Sequence, residues 1–381
     1  MSIIKSNRIA AIDQLRGLVM IIMALDHTRD LFHEPALTED PLNLATTTPA
    51  LFFTRWITHL CAPTFVFLAG VSIYLQQIKQ PDTTLLRNRL LLRGTWLVLL
   101  ELTLVNFGIW FNIHFNILIF QVIGTIGIGF IAMGLLIRIP AKNLLIAGVS
   151  ILLLQGFYPI PVLTAQVFLP LGPDHNLLVA YPILSWLGII LIGFGFGPYF
   201  SKADRTSSWF GWMGLSLLAT GVLLRILNGY GDPGKWKIEV QPFYSFLSFI
   251  NLQKYPPSLL FTLFFLGIAL LLYAFLKSNR LPASVNNVLE VYGSVPLFYY
   301  VLHWYLIHAA MVFIFLVKGY SFAQLNFGAF GFGRPSTTPN GFSLGVVYLV
   351  WICAVILLYP ACVRYRRYKL ENPQSFLARY L

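Results

Sequence analysis

Apolar residues recur along this chain in runs of about twenty, broken by short polar stretches. Runs of that length cross a bilayer as helices, since each residue advances about 1.5 Å through a hydrocarbon layer roughly 30 Å thick. The pattern predicts ten spans, near 9–27, 50–77, 85–108, 115–137, 143–160, 180–200, 208–228, 256–276, 289–316 and 343–363. A transmembrane barrel would show short segments of strict alternation instead. The expected fold is all-α, a polytopic membrane protein with a single transmembrane domain over residues 1–381. No internal repeat is visible.

The first run differs from the rest. Residues 8–30, RIAAIDQLRGLVMIIMALDHTRD, set Asp13, Arg16, Asp26, His27, Arg29 and Asp30 into apolar sequence. Those charges, with no small-residue cleavage site, mark a retained span rather than a removed signal. At about 100° per residue, Asp13, Arg16, Met20, Met23 and His27 share one face. Arg16 and His27 stand about 16 Å apart along the axis. Ionisable groups in a membrane helix face a protein interior or a watery cavity, so this stripe is expected to look inward.

Composition agrees. The chain is 57% hydrophobic and 10% charged, with a mean hydropathy of +0.73, where a soluble protein carries roughly 25% charge. The net charge of +12 suggests nucleic acid until its distribution is read. Seventeen of the 26 basic residues fall on alternate connections: Lys5 and Arg8; Lys79, Arg87, Arg89 and Arg93; Arg138 and Lys142; Lys202 and Arg205; Lys277 and Arg280; and the basic tail from Arg364 to Arg379. That is membrane topology, with both termini cytoplasmic. The longer connections, near 28–49, 229–255 and 317–342, gather on the other face, where a substrate site is usually dressed. Cys61, Cys353 and Cys362 lie in or beside apolar helices, a placement that suggests neither a disulfide framework nor metal ligands. The chain contains no HExxH, CxxC or Walker motif.

Further polar groups lie inside the spans. Arg55 and His59 share a face of span two, and Pro63 should kink that helix just beyond His59. Glu101, within LVLLELTLV, needs either a proton or a cation, for which Arg16 is a candidate. Tyr299, Tyr300 and His303 fall within one turn of span nine. At the cytoplasmic mouth Arg87, Arg89 and Arg93 cluster where an anionic ligand would be met.

These blocks resemble a known family. The opening IDQLRG, with His27 following Arg16 after ten residues, resembles the R-x10-H signature of the transmembrane acyltransferase superfamily. Together with RWITHLCAPTFVFLAGVSIYL, NLQKYPPSLLFTLFFLG and HWYLIH, it resembles the bacterial relatives of heparan-α-glucosaminide N-acetyltransferase. The resemblance implies a multi-pass enzyme, expected in a bacterial inner membrane. It would move an acyl group, usually acetyl, from cytoplasmic acyl-CoA to an amine or hydroxyl of a sugar on the far side. Its partners would be acyl-CoA, a saccharide acceptor and the lipid bilayer. No metal and no nucleic acid are expected, and a homo-oligomer is left open. The superfamily histidine maps onto His27. In the heparan enzyme the catalytic histidine lies in the following loop, where His33 is the nearest candidate.

The residues support this chemistry on their own terms. Acyl transfer needs a base, and histidine titrates in the right range. Developing charge needs buried donors, for which Arg16, His303 and Tyr300 are candidates. The site expected from sequence comprises His27, Arg16, Asp30, His33, His59 and His303, with Arg87, Arg89 and Arg93 on the donor; Asp30 is expected to orient His27. The alternative is a transporter of an anionic or sugar-like solute through a path lined by His, Arg and Glu. Transporters often show repeated halves, which this chain lacks. A scaffold would leave the Arg16–His27 stripe unexplained.

Overall fold

A computed structural model describes residues 9–157, 160, 162–202, 205–328, 330–336 and 340–381. Lys5, Arg8 and residues 158–159 of the fifth predicted span lie outside the described residues. The helices are α1 (Ala10–Phe32), α2 (Pro49–Thr58), α3 (Cys61–Gln77), α4 (Thr83–Leu100), α5 (Asn106–Trp110), α6 (Val122–Leu136), α7 (Ala141–Leu154) and α8 (Ile183–Ser201). They continue with α9 (Ser207–Leu227), α10 (Pro242–Ile250), α11 (Leu259–Lys277), α12 (Ala283–Ser294), α13 (Pro296–Val317), α14 (Leu344–Glu371) and α15 (Phe376–Tyr380). Among the described residues, seven helical segments are long and apolar enough to cross a membrane: α2–α3, α4–α5, α8, α9, α11, α13 and α14. The apolar helices α6 and α7 are shorter, at 15 and 14 residues. The protein is an all-α, integral multi-pass membrane protein.

Three departures from the apolar pattern have local causes. The fourth predicted span begins as a strand, β1 (Ile117–Phe120), and turns helical only at Val122. β1 pairs in parallel with β3 (Asn176–Val179), which pairs antiparallel with β2 (Val167–Pro170). A short run such as ILIF cannot be told from a helix start by periodicity. Span two breaks between α2 and α3, because Pro63 has no N–H to offer the carbonyl of His59. Span nine breaks at Val295, whose φ of −132° and ψ of 47° end α12. Pro296 then opens α13, where its missing N–H costs nothing.

α1 packs against α2, α3, α11, α12, α13 and α14. Its approach to α12 is backbone to backbone. A Cβ on Gly17 would stand 1.9 Å from the Leu289 carbonyl oxygen, and one on Gly293 would stand 1.7 Å from that of Asp13. Only glycine allows such contact. Higher on α1, the indole N–H of Trp351 donates to the Ile21 carbonyl at 2.8 Å. The last carbonyls of α1 lack intrahelical partners, and Arg334 supplies them. It donates to the carbonyls of Leu31 (2.8 Å), Asp30 (3.0 Å) and His33 (2.9 Å).

Candidate active site

A cavity of about 640 Å³ follows α1 from its N-terminal end. Ile9, Asp13, Arg16, Met20 and Met23 line one wall, and Tyr300 of α13 lies among the other lining residues. The stripe expected from helical spacing therefore faces this space, up to one turn short of His27. Arg16 is held where the two glycines let α1 and α12 touch. It donates to Asp13 Oδ1 at 2.9 Å, the Gly293 carbonyl at 3.2 Å and Ser72 Oγ at 3.2 Å. Lys79, Arg93, Lys369 and Arg379 join it in lining the cavity. Among the described lining side chains, Asp13 is the single carboxylate against these five cations. Arg93 lies 5.7 Å from the centre of the Phe130 ring. Arg87 and Arg89 are exposed nearer the start of α4 and do not line the cavity. Arg89 sits a full turn before Arg93, and Arg87 points about 240° away from it around the helix.

At the inner end α1 meets α13. His27 Nδ1 lies 2.6 Å from His303 Nε2, and the Trp304 ring stacks on His27 with centroids 4.0 Å apart. His303 Nδ1 lies 3.1 Å from the Tyr299 carbonyl. A carbonyl only accepts, so Nδ1 of His303 carries the proton and its Nε2 is left as an acceptor. His27 then donates through Nδ1 and keeps the lone pair on its own Nε2. His303 is fully buried, whereas His27 is partly exposed. A rigid imidazole thus fixes the tautomer of an accessible one, the arrangement expected of a positioned base.

Asp30 does not hold His27. Its carboxylate takes the Arg29 guanidinium at 2.5 Å, because a buried arginine on the adjacent residue needs charge neutralisation. Asp26 also accepts from Arg29, at 3.0 Å, and from Arg55 of α2. His59 is buried beside this ion cluster, edge-on to Phe261 and Phe265 at 5.5 and 5.7 Å. His33 lies just past α1, where its backbone bridges to Phe342. Burial, with the Arg29 and Arg334 charges nearby, holds its imidazole below the ordinary histidine range. No hydrogen bond or ring contact joins His33 to the histidine pair among the described residues. Glu101 does not reach Arg16 either. Its Oε2 accepts the Gly124 N–H in the first turn of α6, where free amides and the helix dipole favour a carboxylate.

Sequence reasoning did not find the pairing of His27 with His303, nor Arg334 as the cap of α1. The first brings together residues 276 positions apart, so no local spacing could reveal it. The sequence profile of the heparan-alpha-glucosaminide N-acetyltransferase catalytic family matches residues 8–224, more than half of the chain. No curated protein matches the chain in sequence. The match covers α1 to α8 and most of α9, including the Arg16–His27 stripe, and supports a membrane acetyltransferase-like function. The chain belongs to the heparan-alpha-glucosaminide N-acetyltransferase catalytic family.

Proposed function

We propose that this protein is one transmembrane acyltransferase domain that moves an acetyl group from cytoplasmic acetyl-CoA to an amine or hydroxyl of a sugar on the far side. The observation that carries this reading is the cavity itself, basic where it begins and ending one turn short of the His27–His303 pair. Its volume is in the range of cofactor and substrate pockets. Arg16, Arg93, Lys79, Lys369 and Arg379 meet the phosphates of CoA, and the apolar wall at Met20 and Met23 guides the thioester inward.

His27 acts as the general base. Its Nε2 takes the acceptor's proton as the nucleophile attacks the thioester carbonyl. The C–N or C–O bond forms, the C–S bond breaks, and His27 returns the proton to the departing thiolate. Tyr300, which lines the cavity and whose ring centre stands 6.1 Å from that of His27, offers its phenol to the developing oxyanion. Arg16 lies three turns away and belongs to the donor. Both termini would then be cytoplasmic, with ten crossings of a bacterial inner membrane.

The test is CoA release from acetyl-CoA by purified protein with glucosamine as acceptor. His27→Ala should lower kcat by about 10²–10⁴-fold with the acetyl-CoA KM unchanged. If His33→Ala abolishes transfer while His27→Ala keeps near-normal kcat, the base sits on the loop and this assignment is wrong.

A further inference from the structure

A second cavity, of about 550 Å³, opens between the start of α1, the end of α11 and α12, and the mechanism above makes no use of it. Gln14 of α1 and Glu290 of α12 meet in its wall, where Gln14 Nε2 donates to Glu290 Oε1 at 3.0 Å. A carboxylate only accepts, so this bond fixes which way the Gln14 amide faces and leaves its Oε1 over. Gln14 is 4% exposed, and Oε1 has no hydrogen-bond partner among the described residues. Buried polar atoms are nearly always satisfied, so an exception in a cavity wall calls for a donor from outside. Glu290 is half-buried and forms no ion pair among the described residues, which leaves its negative charge unmatched. Asn286, one turn earlier on the same face of α12, adds a third acceptor. Its Nδ2 donates to Asn279 Oδ1 (3.0 Å) and the Leu281 carbonyl (3.2 Å), so its Oδ1 is left over. Three oxygens, one of them charged, match the three N–H donors of a primary ammonium.

The rest of the polar lining has the opposite sign. Lys277 is the single cation among the described lining residues. Its Nζ donates to the Arg205 carbonyl at 2.5 Å, a neutral partner that leaves the charge unmatched and two N–H groups spare. Ala10 and Ala11 in the first turn of α1, and Ala283 in the first turn of α12, line the same space. The first N–H groups of a helix lack intrahelical partners and carry partial positive charge, so two helix starts beside a lysine favour a phosphate. A water needs about 30 Å³, and this cavity has room for a group that carries both charges. Lys277 is the last residue of α11, a helix long and apolar enough to span the membrane. The cavity therefore sits at the level of the phospholipid headgroups.

We propose that this cavity is a binding site for the phosphoethanolamine group of a membrane lipid. Its ammonium donates to Gln14 Oε1, Asn286 Oδ1 and Glu290, and its phosphate faces Lys277 and the two helix starts. The proposal stands independently of the acyltransferase reading.

The test titrates the full-length protein, stripped of lipid in detergent, with dioleoyl phosphatidylethanolamine or dioleoyl phosphatidylcholine and reads bound lipid by native mass spectrometry. The two lipids share phosphate and acyl chains, but the choline ammonium has no N–H to donate. A charge-assisted hydrogen bond is worth about tenfold to a hundredfold in affinity, and the wild-type protein should prefer phosphatidylethanolamine by that factor. Glu290→Gln still accepts from Gln14 but lacks the charge. It should lower the preference by about three- to tenfold, since charge-assisted bonds are roughly twice as strong as neutral ones. Lys277→Met should weaken both lipids alike and leave their ratio unchanged. Equal binding of the two lipids by the wild-type protein, the mark of a non-specific lipid shell, would overturn the proposal, and that comparison needs no variant to fold. An unchanged preference in Glu290→Gln would overturn it as well. Free O-phosphoethanolamine separates the two sources of the headgroup. It should not displace the lipid at equal concentration, and displacement there would overturn the assignment to a lipid.

Discussion

Replacing His303 with alanine tests the assignment of His27 most directly, because it leaves the base in place and removes only what orients it. The 2.6 Å contact between His27 Nδ1 and His303 Nε2 would be lost, and a buried N–H would be left without an acceptor. Such a group costs about 1–3 kcal/mol. His27 can avoid that cost by rotating or by moving its proton to Nε2, and either change removes the lone pair from the reacting position. If the full cost appears in the transition state, at about 1.4 kcal/mol per tenfold, kcat falls roughly 5- to 150-fold. Trp304 still stacks on the His27 ring, so the ring remains in place and the loss stays below that of His27→Ala. His303 does not line the cavity, so the KM for acetyl-CoA should not move. His303→Gln carries an amide oxygen able to accept the same bond and should recover part of the rate. The assay is steady-state CoA release with saturating acceptor. A kcat within about twofold of the parent, or a loss expressed only in the donor KM, would refute the tautomer argument.

Three other outcomes follow from the geometry. Arg93→Ala should raise the acetyl-CoA KM with little change in kcat, whereas Arg87→Ala with Arg89→Ala should leave donor kinetics unchanged, since only Arg93 lines the cavity; equal effects would spread the donor site over the helix surface. Arg225, 2% exposed, donates to four carbonyls, of Gly234, Ser248, Phe249 and Asn251, at 2.6–3.0 Å, so Arg225→Met should destabilise the protein by about 3–5 kcal/mol; an unchanged unfolding temperature in detergent would contradict its role as the tie of the 229–255 segment. The His33 imidazole sits below its ordinary range through burial first and then through Arg29 and Arg334. The unfolded chain therefore binds that proton more readily, and stability from this group is lost as pH falls below about 6.5. His33→Gln should make thermal stability fall less between about pH 7.5 and 5.5, and an identical pH slope would show that His33 makes no such contribution.

The fold was legible where hydrophobic length decided it. Each apolar run of about twenty residues found a helix, because a bilayer leaves the backbone little alternative to satisfying its own hydrogen bonds. The breaks were legible where proline set them, as at Pro63. They were not legible where they depended on partners far away in sequence. β1 is a strand because Asn176–Val179 lies beside it. The turn formers in LGPDHN, between two apolar runs, were the one local sign of the adjoining hairpin.

The site divides along the same line. The Asp13–Arg16–Met20–Met23 stripe was readable because a single helix fixes the relative direction of its own side chains, and the cavity lies along it. Partner choice was not readable, because it depends on which groups are left unsatisfied once the helices have packed. Asp30 has the right spacing to reach His27, yet it serves Arg29, since a guanidinium beside it in the chain and almost fully buried has the stronger claim on a carboxylate. His27 is thereby left to the nearest acceptor on another helix, His303. Glu101 follows the same logic, taken by the free amides of α6 before any arginine can reach it. In a low-dielectric interior each buried charge settles first with the neighbour that costs least to approach, and what remains unsettled marks the places where a substrate has something to do. By that reasoning the proposed chemistry lies where packing leaves an imidazole lone pair at His27.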